Sequence, residues 1–484
     1  MHLLIAATFG AMLATPALPA QETQPAIAPD AQPQAAQDVQ PQPASDAQPA
    51  VAPDAQLQPA SDAQPVAAPE VQPVSAPDAQ PVPKLESDAA VDAYYAAHSD
   101  APIWLKDEAS RTAARDFIAI LRNAAVDGIS DGAVLAQQIE AAYARGQVDD
   151  DRIISAAWVR LVQTLKGPVP GVDYGDPTLR PTTPATDFIL GQAAGASSLD
   201  DLVRQTSEVN PFYSAIREAA VKQNAISDPH VRGTLERLRL VPAKGREVLV
   251  DAAAAELLMV EDGHVVDTMK VVVGKKATPS APIASTIHFV TFNPYWHIPS
   301  DLAREKVAPI VVKRGVSYLK AARYETAASY ESDATLVDPV DIDWKGVSEG
   351  TASVYIRQLP GSANMMGAMK FPFDNRYDIF LHDTPHDARH MGLFEKSQRN
   401  FSNGCIRLEH ADRLAHWLLG HDPVAPSTDP EQHVKLDQGV PIYVTYLTAN
   451  VANGELVYAD DVYGLDSAPV ATAAVQAGPE AASK

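Results

Sequence analysis

A single cysteine, Cys405, stands in 484 residues. An internal disulfide is therefore excluded, and the thiol is either an incidental small hydrophobe or a free reactive group. Basic residues are also scarce. None precedes Lys84, and 38 Lys and Arg face 61 Asp and Glu, for a formal net charge of -23. No basic cluster stands out, which argues against nucleic acid and against electrostatic binding to an anionic membrane. Long apolar runs are missing as well. The stretch 3–14 is too short to span a bilayer. With small residues at Ala17 and Ala20 it reads instead as the apolar core of a secretory leader over residues 1–20, although a basic start is lacking.

Residues 21–84 repeat a loose Asp-Ala-Gln-Pro unit, as at Asp46–Pro49, Asp62–Pro65 and Asp78–Pro81. Proline blocks helix interiors and sheet ladders, and few large apolar side chains are available to bury, so a linker with polyproline II character is expected. From 85 to 245 the apolar period is helical. Phe117, Leu121 and Ala124 share one face; Leu135, Ile139 and Tyr143 a second; Ile154, Trp158, Leu161 and Leu165 a third; Leu235, Leu238 and Leu240 mark a later helix. From 246 to 466 the period becomes two. Val248–Val250 and Leu257–Val260 read as strands, and a turn at Glu261–His264 leads into Val265–Val273 as a hairpin. Further strands are expected at 285–292, at Ala352–Ile356 and from Tyr377 to His382, with Ile442–Leu447 closing the sheet. Residues 300–350 are less regular and read as an insertion, and 467–484 as a frayed tail. The fold class is α+β multidomain, helices first and sheet second.

Two constellations could carry chemistry. Cys405 follows a Ser402-Asn403-Gly404 turn and opens a stretch that reads as helical, where a helix N-terminus would acidify a thiol. His382, twenty-three residues upstream, is the candidate base, and Asp383 could fix its tautomer through the backbone carbonyl or the carboxylate. The rival is a metal site from His382, Asp383, His386 and His390. Pro385 and Gly392 interrupt the helix that would align those histidines, so His386 and His390 read as exposed loop residues. His297, His410, His416 and His421 read as ordinary surface or half-buried side chains.

The runs Ile379–Pro385, Leu393–Phe394 and Arg399–Leu408 resemble the active-site signature of the L,D-transpeptidases, and more closely their large periplasmic YcbB-like branch. Upstream, Asn293–Trp296 with Ile298–Pro299, Arg357–Gly361, Asn364, Gly367, Lys370–Phe371 and Asn375 are similar to that branch, as are Tyr94–Tyr95 and Pro102–Leu105 in the helical region. The resemblance implies a helical scaffold, a β-rich catalytic domain with a capping insertion, and a periplasmic location. It implies that Cys405 attacks the third residue of a peptidoglycan stem tetrapeptide and releases D-Ala. The thioester then passes to an acceptor amine, forming a 3→3 cross-link. His382 would be general base and later acid, the backbone around Asp383 its orienter, and the N–H groups of Gly404 and Cys405 part of an oxyanion hole.

Arg407, Asn403, Ser402, Trp296 and Phe380 are the candidates for contacting substrate. Arg407 could equally brace the turn through a buried ion pair, and Trp296 and Phe380 could be core. Asn403 stands where many relatives have His or Ser, and residues 387–391 lengthen the interval from His382 to Cys405. No metal or organic cofactor is implied. The implied partners are donor and acceptor stem peptides, with carbapenem β-lactams as covalent inhibitors. Transfer to water or to an outer-membrane protein amine, or a catalytically silent wall-binding scaffold, are the alternatives.

Overall fold

The computed structural model describes residues 88–331 and 333–466. The leader expected over 1–20, the linker over 21–84 and the tail over 467–484 lie outside the described residues.

Eight helices come first: α1 (Ala89–Ala97), α2 (Glu108–Arg122), α3 (Gly132–Arg145), α4 (Val148–Lys166), α5 (Thr186–Ala194), α6 (Leu199–Ser207), α7 (Pro211–Lys222) and α8 (Pro229–Leu238). A two-residue strand, β1 (Asp173–Tyr174), lies between α4 and α5. The stripes read from the sequence are buried, with Phe117, Leu121, Ile139, Leu161 and Leu235 all at 0% exposure. One polar group holds the entrance to α2. The Asp151 carboxylate, fully buried on α4, accepts the N–H groups of Ile103 (2.8 Å), Trp104 (2.9 Å) and Leu105 (2.8 Å) and the Tyr95 hydroxyl. These donors compensate for taking a carboxylate out of water, which is costly when unpaired. Tyr95 and the Pro102–Leu105 segment thus belong to one structural unit.

The β-rich part begins with β2 (Arg246–Asp251), β3 (Glu256–Glu261), β4 (His264–Gly274) and β5 (Ile283–Phe292). An excursion follows through β6 (Trp296–Ile298), α9 (Ser300–Leu302), a π-helical turn, α10 (Ala308–Arg314), α11 (Ser317–Ala321), β7 (Tyr324–Ala327), α12 (Trp344–Glu349) and β8 (Tyr355–Gln358). The chain then returns with β9 (Met369–Phe371), β10 (Leu381–His382), α13 (Ala388–Met391), β11 (Asn400–Ser402), β12 (Ile406–Leu408) and α14 (Ala411–Leu419). The last elements are β13 (Gln432–Thr445), β14 (Ala449–Ala452) and β15 (Glu455–Tyr458).

The main sheet runs β1-β5-β13-β2-β3-β4-β12-β10-β9, and β9 also pairs with β5, which closes the path from β5 round to β9 into a ring. Val248, Val250, Leu257, Phe371, Leu381, Ile406 and Leu408 turn into one core. Leu249, Val260, Ala284 and Tyr443 alternate to the other side and share a continuous core with the helices. The helical module therefore covers β2, β3, β5 and β13 and leaves free β9, β10 and β12, the strands that carry Lys370, His382 and Arg407. The C-terminal hairpin returns to the same module. Ala449 N–H bonds Thr234 Oγ1 on α8 (3.0 Å), and Arg237 both donates to Tyr446 O (2.8 Å) and pairs with Asp466 (2.8 Å).

Three strand expectations need correction. The segment from Tyr377 to His382 is mostly not strand. Asp378 takes a positive φ of 53°, and the Asn375 side chain ties down Tyr377 N–H and Ile379 N–H (both 3.0 Å), so only Leu381–His382 joins the sheet. The strand read at Ala352–Ile356 begins at Tyr355. The strand over Ile442–Leu447 is central rather than closing, parallel to β2 and antiparallel to β5.

The insertion read over 300–350 is wider, because the strands at both its ends belong to its own sheet, ordered β6-β8-β7. Ile298 and Ile356 face each other in register and pack with Val307, Val311, Trp344 and Val347 in a separate small core. The other face presents His297, Arg357 and Glu325, also in register. This cap is rooted at Glu431, which accepts Tyr295 N–H (2.7 Å) and pairs with Lys370 Nζ (3.0 Å).

Candidate active site

Register brings the site together. β10 and β12 run parallel with Leu381 opposite Ile406 and His382 opposite Arg407, and β9 places Lys370 opposite His382. Leu381, Ile406 and Leu408 fill the ring's core, so the period of two turns His382 and Arg407 outward. Cys405 lies two residues before Arg407 and emerges on the same side. The Arg407 charge acts on both Cys405 and His382, which places the two groups in one neighbourhood around it.

His382 is 4% exposed, and its Nδ1 lies 2.6 Å from Asp383 O. A carbonyl can only accept, so Nδ1 carries the proton and Nε2 is left as the free base. Burial, reinforced by the Arg407 guanidinium, holds the imidazole down to about 3. Of the two ways Asp383 could orient it, the structure uses the backbone carbonyl. The Asp383 carboxylate instead accepts Ala368 N–H (2.8 Å) and sits 3.1 Å from His386 Nε2. Gly367 makes that approach feasible. Its φ is +65°, and a Cβ there would lie 2.4 Å from Asp383 Oδ2.

Cys405 does not open a helix. It precedes β12, and α14 starts only at Ala411, because Ile406 and Leu408 alternate into the core between β10 and β4. The expected acidification by a helix N-terminus is therefore absent at this position. The thiol is partly accessible but deep among protein atoms, and burial raises its pKa; the Phe380 backbone N–H and the Arg407 charge act against that rise without overcoming it. Among the described residues its hydrogen bond goes to Asp378 O (3.7 Å), not to His382.

The turn is held from beneath. Ser402 Oγ donates to Cys405 O (2.6 Å) and accepts Gly404 N–H (3.1 Å), while Ser280 Oγ donates to Gly404 O (2.6 Å). Gly404 has φ +118°, a conformation that a side chain would strain. Its N–H is engaged inside the turn, which corrects the expectation that it faces an oxyanion. Ser402, expected to contact substrate, is 5% exposed and acts as an internal brace.

A lowered imidazole and a raised thiol make the resting pair neutral rather than a thiolate–imidazolium ion pair. Alkylation of Cys405 by iodoacetamide is expected to climb with the thiolate fraction, roughly tenfold per pH unit between pH 6 and pH 8. A rate already level across that range would show an ion pair and overturn this reading.

The remaining candidates are spread out. Arg407 is partly buried and its Nε is buried without a hydrogen-bond partner; among the described residues it forms no ion pair, so the bracing alternative is not what the fold contains. Asn403 is exposed and its Oδ1 accepts from Lys275 Nζ (2.8 Å). Phe380 is half-buried and its carbonyl accepts Ile406 N–H (2.9 Å). Trp296 packs on the cap's own core, edge-on to Tyr324. The histidines do not converge. The His386 side chain is 68% exposed and turned to Asp383, and His390 binds Asp387 (2.7 Å). Among the described residues no three His, Cys, Asp or Glu side chains are placed to share a metal ion.

Ser280, Lys275 and Glu431 escaped sequence reasoning. Each lies over 100 residues from, or in a loop unrelated to, the group it supports, and no local pattern marks them.

Residues 245–429 match the family model for the L,D-transpeptidase catalytic domain, YkuD. The chain carries a catalytic domain of the L,D-transpeptidase family. Residues 89–219 match the model of a Scaffold domain, which coincides with the helical module up to α7. A Haemophilus influenzae protein named "Putative L,D-transpeptidase" is 25% identical over 409 residues, covering 79% of each chain. Among solved structures, a variant of an Enterococcus faecium L,D-transpeptidase is 12% identical with a TM-score of 0.21, the match covering 43% of this chain and 51% of that one. An L,D-transpeptidase from Mycobacterium smegmatis is 16% identical with a TM-score of 0.20, covering 42% and 59%. The structural matches thus span little more than half of those chains.

Proposed function

We propose that the protein is a peptidoglycan L,D-transpeptidase acting through Cys405 and His382. The observation that carries the reading is the imidazole fixed by the Asp383 carbonyl with Nε2 free, opposite an arginine whose charge also acts on the chain's single thiol. His382 removes the thiol proton as the sulfur attacks the carbonyl carbon of the third stem residue. The oxyanion forms beside the Cys405 N–H, since the Gly404 N–H is engaged by Ser402. Nε2–H then protonates the departing D-Ala amine, leaving a thioester. An acceptor amine, commonly on a second stem, gives its proton to Nε2, attacks the thioester and expels the thiol, forming a 3→3 cross-link.

Export to the periplasm belongs to the same proposal and is supported by the apolar run at 3–14. Incubation with tetrapeptide muropeptides tests the reaction. Free D-Ala together with 3→3 dimers is the expected product pair. D-Ala without dimers would make it a carboxypeptidase, and no D-Ala release would sink the proposal. A carbapenem acylates the same thiol and should raise the intact mass by one adduct mapping to the peptide that contains Cys405; an unchanged mass counts against a reactive thiol.

A further inference from the structure

The transfer step uses two peptides, and the sheet order separates where they lie. β12 has β10, with His382, on one side and β4 on the other. On β4 the Val271 N–H bonds Ala255 O and the Val273 N–H bonds Arg399 O, and just past the strand the Lys275 N–H bonds Ser402 O. β11 therefore continues the edge that β3 vacates, on the far side of β4 from β12 and His382. Leaving and acceptor amines both exchange a proton with His382, so both lie toward β10. The acyl portion of the donor must extend the other way, over Asn403 and β11.

That corner differs from the rest of this acidic chain. Lys275 Nζ holds Asn403 Oδ1 at 2.8 Å, which turns the Asn403 amide NH2 away from it. Phe401, two residues before, is 46% exposed, with Lys396 Nζ 5.0 Å from its ring centroid. Lys270, on the neighbouring strand, pairs with Glu395 and Glu409, but among the described residues neither Lys275 nor Lys396 pairs with a carboxylate. Two uncompensated cations, an amide donor and an exposed aromatic ring thus gather on the segment that leads from β11 into Cys405, in a protein of net charge -23.

We propose that Lys275, Asn403, Phe401 and Lys396 form the donor subsite and bind an acidic acyl peptide through its carboxylates, Lys275 being the main specificity residue. The inference rests on the transpeptidase reading for the identity of the donor. Its chemistry is charge complementarity at a solvent-exposed rim, so the effect falls on substrate binding and is weakened by salt.

The test uses the full chain carrying Cys405→Ala, which binds donor without turning it over, and two tetrapeptide donors. One has free carboxylates on the acyl side and the other has them amidated. Lys275→Glu is expected to weaken binding of the free-acid donor about fivefold to tenfold at low salt, with Lys396→Glu weaker in effect. The amidated donor should bind both variants as it binds the parent, and raised salt should erase the difference. Lys275→Gln repeats the measurement without a reversed charge should the Glu variant fold poorly. Equal losses for both donors, or none for either, would overturn the assignment. Failure of the wild-type chain to release D-Ala defeats the reaction instead, and leaves this binding comparison to be decided by its own result.

Discussion

Replacing Cys405 with alanine is expected to slow D-Ala release by on the order of 10⁴-fold or more while leaving the fold intact. The chain contains no second thiol to take over, so the loss should be complete on the timescale of the assay. The backbone of the turn does not depend on the sulfur. Ser402 Oγ and Ser280 Oγ hold the carbonyls of Cys405 and Gly404, and Ile406 N–H is bound by Phe380 O, all through groups the substitution keeps. Removing one partly accessible sulfur costs about 1 kcal/mol of packing at most. The melting temperature should therefore shift by no more than a few degrees. Activity and stability measured on one preparation separate a missing nucleophile from a broken fold, and D-Ala release near the parental rate would exclude Cys405.

Gly367→Ala should also be damaging, though less so, without touching the reacting atoms. An alanine Cβ would sit 2.5 Å from Asp383 Cβ and Cγ and 2.4 Å from Oδ2, at a φ of +65°. The left-handed conformation alone costs about 1 kcal/mol. The overlap adds more, because Asp383 cannot retreat while it accepts Ala368 N–H and its carbonyl holds His382. The expected response is displacement of the 383 backbone, and with it the imidazole. A shift of about 1 Å in a catalytic group costs on the order of 10²-fold in rate. kcat should fall by that order, and the melting temperature should drop as well. Iodoacetamide should still reach Cys405. An unchanged kcat would show that the loop at 366–368 yields instead of Asp383.

The chain's organisation was legible where a local period was strong. The stripes of α2, α3 and α4 and the β3–β4 hairpin fell where Phe117, Leu135, Trp158 and the Glu261–His264 turn indicate. Residues 406–408 were misread as helical because Ile406 and Leu408 alone are too short a run to fix a period, and pairing with β10 and β4 decided it. The resemblance around His382 and Cys405 picked out the pair proposed to react. It did not show how they are supported, since Lys275 and Ser280 arrive from the loop between β4 and β5 and Ala368 from the segment before β9. The Asp383 carboxylate illustrates the limit. Its residue type invited a role at the imidazole, whereas burial and the glycine at 367 direct it to the Ala368 N–H.

The return of the C-terminal hairpin onto α7 and α8 has a consequence for how the chain is made. Thr234 waits for a hydrogen-bond partner 215 residues further on, and Arg237 waits for Asp466, 229 residues away. Leu249, Ala284 and Tyr443 also complete the core that the helices begin. A polypeptide emerging from its N-terminus would therefore expose apolar surface on the helical module until almost the last described residue has followed. Contacts of such long range are slow to form and leave partly folded chains open to aggregation. The helices emerge first and are finished last.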